Sequence, residues 1–169
     1  ALFAADNMSD AVALMNKEAK SLGATESNFV NPHGLYNDNH YTTVYDLYLI
    51  FNEAIKYSKF VDTLSCMKYT GSFTRKTAYG DYSIGCSYTN SNGFLTGSYA
   101  TPDGIKVYGG KAGYTEVARR SYVMLAESNN GHKYIIITMR AESNSLMYKD
   151  LSALLNKIPV DKKSYADNE

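Results

Sequence analysis

Apolar residues at Val12, Met15, Ala19 and Leu22 recur at helical spacing and predict a helix over 10–22, with Ser9 placed to cap it and Gly23 to end it. Residues 24–41 break that rhythm. Asn31-Pro32-His33-Gly34 and Asn37-Asp38-Asn39 carry turn chemistry and predict a loop. Thr43 opens a second helix, with Asp46 three residues on in the manner of a capping box. Val44, Leu47, Tyr48, Phe51, Ala54 and Ile55 supply its apolar stripe, and Ser58 can cap a short third helix through Leu64. From residue 67 the period changes to that of strands: 67–74, 81–89, 105–114, 121–127 and 134–140, with a Gly- and Pro-bearing loop over 90–104. Asn130-Gly131 marks a tight hairpin turn. The run Tyr134-Ile135-Ile136-Ile137-Thr138 is expected to be buried on both faces. A closing helix is expected near 145–158, with Met147, Leu151, Leu154, Leu155 and Ile158 on one side and Pro159 beyond it. Helices, an antiparallel meander and a final helix predict an α+β domain over 1–159, followed by a polar tail over 160–169 that is expected to fray. The opening residues 1–6 read as the inside of a helix, as in a piece of a longer precursor.

The chain has 169 residues, enough for one domain with a real core. Seventeen basic residues balance seventeen acidic ones, which argues against a nucleic-acid partner. No apolar run approaches the roughly 20 residues of a membrane helix. Sixteen tyrosines and no tryptophan suit half-exposed strands and binding grooves, or reflect a bias of composition. Cys66 and Cys86 fit no metal spacing, and the sequence leaves open whether they pair or stay as thiols. The three histidines are too scattered to suggest a metal site.

Four segments carry chemistry as a set. They are Ala13-Leu14-Met15-Asn16 with Ala19 and Leu22-Gly23; Phe29-Val30-Asn31-Pro32-His33-Gly34-Leu35 followed by His40-Tyr41-Thr42-Thr43 and Asp46-Leu47; Thr89-Asn90-Ser91-Asn92 with Leu95; and Gly110-Lys111-Ala112-Gly113-Tyr114-Thr115. In this order and spacing they resemble the D-alanyl-D-alanine carboxypeptidases, the low-molecular-weight penicillin-binding proteins, whose fold is shared with serine β-lactamases. The resemblance implies an antiparallel sheet flanked by helices. It also implies removal of the terminal D-Ala from peptidoglycan stem peptides through an acyl-serine intermediate, in the cell envelope or outside the cell. Stem peptides and β-lactams are the implied partners, and no cofactor or metal is implied.

In that family the nucleophile and its base lie in a Ser-x-x-Lys motif, and a Ser-x-Asn motif lines the other wall. The resemblance places both before residue 1. This chain would then supply the Lys-x-Gly wall of an incomplete domain, completed by an N-terminal polypeptide of the same precursor of roughly 80–120 residues, and would be inactive alone. Lys111 would present a fixed cation to neighbouring hydroxyls and to the substrate carboxylate. Gly113 would let the acyl group approach the backbone, and the Tyr114 N–H would donate to the oxyanion. Ala112 and Thr115 would line the substrate. Ala112 departs from the family, which carries Thr or Ser there to help hold the carboxylate.

His33 is expected at the rim or bonding its own turn, and Asn90 and Asn92 at the rim or fixing loops beside the Lys111 strand. His40 and Asp46 read as structural, and His132 as exposed. Of Arg119 and Arg120, one is expected to be solvated and one inward. Ser65-Cys66-Met67-Lys68 matches Ser-x-x-Lys in form only, since a nucleophile belongs at the start of a buried helix and strand follows Lys68. Two other readings remain: a β-lactamase-related acyl-serine enzyme, and a non-catalytic module of the same fold, which Ala112 favours.

Overall fold

The computed structural model describes residues 5–161. Three helices come first: α1 (Met8–Ser21), α2 (Val44–Ala54) and α3 (Ser58–Ser65). Five strands follow, β1 (Lys68–Thr77), β2 (Gly80–Thr89), β3 (Ile105–Thr115), β4 (Arg119–Ser128) and β5 (Lys133–Ala141), and then α4 (Asn144–Leu155). The α+β architecture is therefore as the periodicity predicts.

The strands form a two-stranded ribbon, β1-β2, and a three-stranded antiparallel sheet in the order β3-β4-β5. Alternate side chains of β4 serve the two faces of the sheet. Tyr122, Met124 and Ala126 pack with Phe94, Val107, Ile136 and α4 residues Met147, Tyr148, Leu151 and Leu155. Leu125 packs with Phe51 of α2 and Leu64 of α3, and Val123 lies against them. The strand buried on both faces is thus β4 and not β5. Within the Tyr134–Thr138 run, Ile136 and Thr138 are buried and Tyr134, Ile135 and Ile137 are half-exposed. The reason is topological: β5 is an edge of the sheet, so although Ile136 packs in the α4 cluster and Ile135 against the Phe51 cluster, the open edge leaves Ile135 and Ile137 partly exposed.

The helix starts are set by side chains that accept backbone N–H bonds. Asn7, not Ser9, caps α1: its Oδ1 accepts the Asp10 N–H at 2.9 Å while its Nδ2 donates to the Asp10 carboxylate at 2.8 Å. The helix therefore begins at Met8, and Ala5–Asp6 lie outside it; residues 1–4 fall outside the described part. Thr43 caps α2 through the Asp46 N–H at 3.1 Å, as expected. The cap position of α3 is Tyr57, with no side-chain bond, so Ser58 is the first helical residue and not the cap. Ser143 caps α4 through the Leu146 N–H at 3.1 Å. This helix ends at Leu155, earlier than the apolar stripe suggests, and Leu154 faces outward.

The apolar stripe of α2 is only half covered. Phe51 is buried, whereas Val44 and Tyr48 are exposed. These two, with Tyr45, the β5 residues 134–137 and Leu154, Ile158 and Pro159, line an apolar cleft of about 620 Å³ beside the β5 edge. The β1-β2 ribbon is exposed along nearly all its length. Its register sets Tyr69, Phe73, Tyr82, Ile84 and Tyr88 on one face and a Ser/Thr stripe on the other. Cys66 and Cys86 are both free thiols. At the chain's end, Asn129 exchanges two hydrogen bonds with the Asp161 backbone, at 2.8 and 2.9 Å; of the expected tail, residues 162–169 lie outside the described part. Among the described residues no helix is long and apolar enough to cross a membrane.

Candidate active site

β3 pairs with β4 on one side and leaves its other edge open. Half of its backbone N–H and C=O groups along the Lys111–Thr115 stretch therefore face outward, free to accept an added strand. The register sets Lys111 opposite Val123 and Gly113 opposite Ser121, on the α2/α3 side. Ala112 lies opposite Tyr122 and Tyr114 opposite Arg120, on the α4 side.

On the α2/α3 side the strand walls a groove of about 510 Å³. Lys111, Ala112, Gly113 and Tyr114 form one wall, with Ser121 and Val123 of β4 behind them; Pro32, His33, Gly34 and Leu35 form the other, with Leu47 of α2. Lys111 is exposed and its Nζ folds back on the Ala112 carbonyl. Its ammonium makes no ion pair among the described residues, so it is available to an anion or a hydroxyl entering the groove. Gly113 is open: a Cβ there would meet no protein atom within 4 Å. Thr115 does not line the groove; its Oγ1 accepts the Ala118 N–H at 3.0 Å in the β3-β4 turn.

The two glycines that precede Lys111 are structural. Gly109 has φ +129°, and a Cβ on it would overlap the Leu64 carbonyl at the end of α3. It follows a bulge in the β3-β4 ladder between Val107 and Gly109, where Tyr108 is the extra residue and bonds Glu127 at 3.1 Å. A Cβ on Gly110 would overlap the Val123 carbonyl. These close approaches aim β3 so that Lys111 and Gly113 face the groove.

His33 lies on the groove wall opposite Lys111, and its Nδ1 accepts the Leu35 N–H of its own turn at 3.2 Å. Asn90 and Asn92 are outside the groove and fix the segment behind β3. Asn90 Nδ2 donates to the carbonyls of Leu64 and Cys66 at 3.1 and 3.0 Å. Asn92 is fully buried, and its Oδ1 accepts the N–H groups of Phe94 and Leu95 at 2.9 and 3.2 Å. Beside it, burial and the neighbouring Tyr148 push the Tyr122 hydroxyl far above its ordinary pKa, opposed by the Asn92 amide.

Asp46 is buried at the start of α2 and accepts from the Glu26 N–H at 2.8 Å and the Ser27 hydroxyl at 2.6 Å, a structural role. His40 packs edge-on to Phe29 and accepts the Val30 N–H at 3.3 Å. Ser65 sits in the last turn of α3, where its hydroxyl donates back to the Val61 carbonyl at 3.0 Å, and Lys68 lies on β1. That hydroxyl stands at the C-terminal end of a helix, and no base among the described residues is hydrogen-bonded to it. His132 is exposed, as expected. Arg119 is exposed with φ +61°, whereas Arg120 turns inward over the Tyr114 ring, 4.6 Å from its centroid.

The sequence matches the D-alanyl-D-alanine carboxypeptidase family over residues 1–143. It is 32% identical over 124 residues to the D-alanyl-D-alanine carboxypeptidase DacF of Bacillus subtilis, covering 72% of this chain and 27% of that protein. Its fold matches the DD-transpeptidase of Streptomyces with a TM-score of 0.71 at 26% identity, over 86% of this chain and 52% of that one. It also matches a D-alanyl-D-alanine carboxypeptidase of Mycobacterium tuberculosis with a TM-score of 0.63 at 26% identity, over 86% of this chain and 51% of that one. The chain thus spans about a quarter of DacF and half of the solved relatives. By the match over most of its length, the chain belongs to the D-alanyl-D-alanine carboxypeptidase family.

Proposed function

We propose that this chain supplies the Lys-x-Gly wall of a serine-type D-Ala-D-Ala carboxypeptidase that trims peptidoglycan stem peptides outside the cytoplasmic membrane. The observation that carries this reading is the open β3 edge, with exposed Lys111 and uncrowded Gly113 on one groove. A peptide ending in D-Ala-D-Ala adds to the edge as a strand. A serine hydroxyl, supplied by a further polypeptide of the same precursor, attacks the carbonyl carbon of the penultimate residue and passes its proton to the lysine of its own motif. The oxyanion rests on the Tyr114 N–H and on the amide of that serine. The tetrahedral intermediate collapses by breaking the C–N bond. The D-Ala amine leaves with a proton, and water then hydrolyses the ester. Lys111 holds positive charge beside these groups throughout. β-Lactams acylate the same serine by opening the ring.

The same polypeptide would cover the apolar cleft and free edge at β5, which no element among the described residues covers. Fluorescent penicillin tests the assignment. The label is expected on a serine outside this chain, unaffected by Ser65→Ala, and weakened at least tenfold by Lys111→Ala, as loss of a charge-assisted hydrogen bond requires. A label mapped by peptide mass to Ser65 overturns the site. Ala112 favours one second reading, a non-catalytic module that binds the same peptides, for which no label would form.

A further inference from the structure

The chain holds two Asn-Gly steps, Asn92-Gly93 and Asn130-Gly131. At such a step an asparagine can close on its own backbone, because glycine has no Cβ to shield the nitrogen that follows. The fold treats the two steps in opposite ways. Asn92 is 1% exposed, and Gly93 is buried beside it. The Asn92 Oδ1 is held by the Phe94 and Leu95 N–H groups, and the Gly93 N–H donates to the Tyr148 hydroxyl at 2.8 Å. A Cβ on Gly93 would overlap the Tyr99 ring, so this step has no room to turn.

Asn130 and Gly131 stand in the turn between β4 and β5, and both are exposed. Gly131 has φ +84°, and a Cβ on it would meet no protein atom within 4 Å. Its N–H donates to the Ser128 carbonyl at 2.9 Å, a single bond in a solvent-exposed turn that opens readily. The Asn130 Oδ1 accepts the Ser128 hydroxyl and the His132 N–H, the latter at 3.1 Å. A backbone N–H can only donate, so the side-chain atom it meets is the oxygen. Both bonds draw electron density toward that oxygen and leave Cγ more open to attack. The Nδ2 makes no hydrogen bond among the described residues, so nothing there retains it as a leaving group.

We infer that Asn130 is a self-modifying site, which loses its side-chain amide in the folded protein while Asn92 keeps its own. The Gly131 nitrogen bonds to Asn130 Cγ and the Cγ–Nδ2 bond breaks. The Gly131 amide proton leaves with that nitrogen as ammonia, and water then opens the cyclic imide. Opening at Cγ gives aspartate. Opening at the main-chain carbonyl gives isoaspartate, in which the backbone runs through Cβ. The products differ in consequence. Aspartate keeps the acceptor for Ser128 and His132, and its charge strengthens both bonds. Isoaspartate adds a backbone atom to the turn. The Ser128 N–H and the His132 carbonyl, paired at 3.0 Å, then no longer meet, and β5 frays from β4 at this end. The site stands apart from the acyl-transfer reading: Ser128 pairs with Ile105, whereas Gly113 pairs with Ser121 near the other end of the β3-β4 ladder.

The test is ageing of the intact protein in mildly alkaline buffer, with and without urea, followed by peptide mass mapping and enzymatic methylation of isoaspartate. In the fold, the mass gain of amide-to-acid exchange is expected at Asn130. At Asn92 it should be slower by at least about a hundredfold, because reaction there waits on local opening. In urea the two steps should convert at similar rates. Asn130→Gln, whose longer side chain closes the ring poorly, is expected to keep its amide while Asn92 behaves as before. Asn130→Asp should melt no lower than the parent, whereas the isoaspartate-bearing fraction should melt lower. The assignment is overturned if Asn130 stays an amide in the fold while urea converts it, or if Asn92 converts as fast as Asn130 without urea. It is also overturned if the rate at Asn130 does not rise with hydroxide, since the attacking nitrogen must give up its proton. An isoaspartate fraction that melts with the parent overturns the fraying of β5.

Discussion

Asn16 and Phe29 are joined by a reciprocal pair of hydrogen bonds: Asn16 Nδ2 donates to the Phe29 carbonyl at 2.7 Å, and the Phe29 N–H donates to Asn16 Oδ1 at 2.8 Å. One carboxamide thus replaces the pairing that a strand neighbour would give Phe29. It fixes α1 against the loop that carries His33 to the groove. Two of the four family segments are in this way one structural unit. Asn16→Ala leaves both backbone groups half-buried without partners. At 0.5–1.5 kcal/mol per bond the expected loss is about 2 kcal/mol, read as a lower urea midpoint at unchanged m-value.

Gly109 and Gly113 lie on one strand, β3, and the structure assigns them opposite sensitivities. Gly109→Ala puts a methyl group into the Leu64 carbonyl at a left-handed φ, two costs that add to roughly 3 kcal/mol. Gly113→Ala meets no protein atom and is expected to stay within about 0.5 kcal/mol of the parent. It should instead weaken penicillin acylation, because the methyl group stands where the ligand lies against β3. Thermal melts with labelling on the same samples separate the two. Equal destabilisation by both substitutions would mean that Gly113 is structural too.

What the sequence made legible was local. Thr43 with Asp46 and Asn130 with Gly131 act over a few residues, and both signals held: the cap bond is present, and the turn joins β4 to β5. The start of α1 was missed by two positions because Asn7 and Ser9 can both cap, and only the exchange between Asn7 and Asp10 decides. The meander order β3-β4-β5 was legible, but which strand lies deepest was not. The isoleucine run of β5 outranks β4 in apolarity, yet β4, at the centre, is the strand buried on both faces, because the helices that cover it come from both ends of the chain. At the site, Lys111, Gly113 and His33 were readable from the motif. The bulge at Tyr108 and the cleft beside Arg120 exist only once β3 lies against β4.

His40 makes stability pH-dependent. Burial, with the nearby His33 adding to it, lowers the His40 pKa in the fold, and its Nδ1 must stay unprotonated to accept the Val30 N–H. At a pH above the unfolded value of about 6.5 the imidazole is neutral in both states and its contribution is fully present. As the pH falls through 6.5 and then through the lower folded value, the unfolded state takes up the proton first and that contribution is lost. The melting temperature should therefore drop between pH 7.5 and 5.5, and His40→Gln should flatten the drop. An equally steep profile in the variant would move the titration to another group.

Ala112 tests whether the groove is still a working one. The residue is half-buried on the α4 side of β3, across the ladder from Tyr122. Thr is β-branched and suits a strand, so Ala112→Thr should leave stability nearly unchanged. Its hydroxyl would bring a neutral hydrogen-bond donor to the cleft that holds Arg120. Such a bond is worth about 0.5–1.5 kcal/mol, and the expected gain in penicillin acylation rate is several-fold. Lys111→Ala should act in the opposite sense and by more, since a charged partner is lost. A silent Ala112→Thr on its own would mean that the hydroxyl does not reach the ligand. Silence from both substitutions would mean that the β3 wall contributes nothing to acylation, and the non-catalytic module would then account better for the chain.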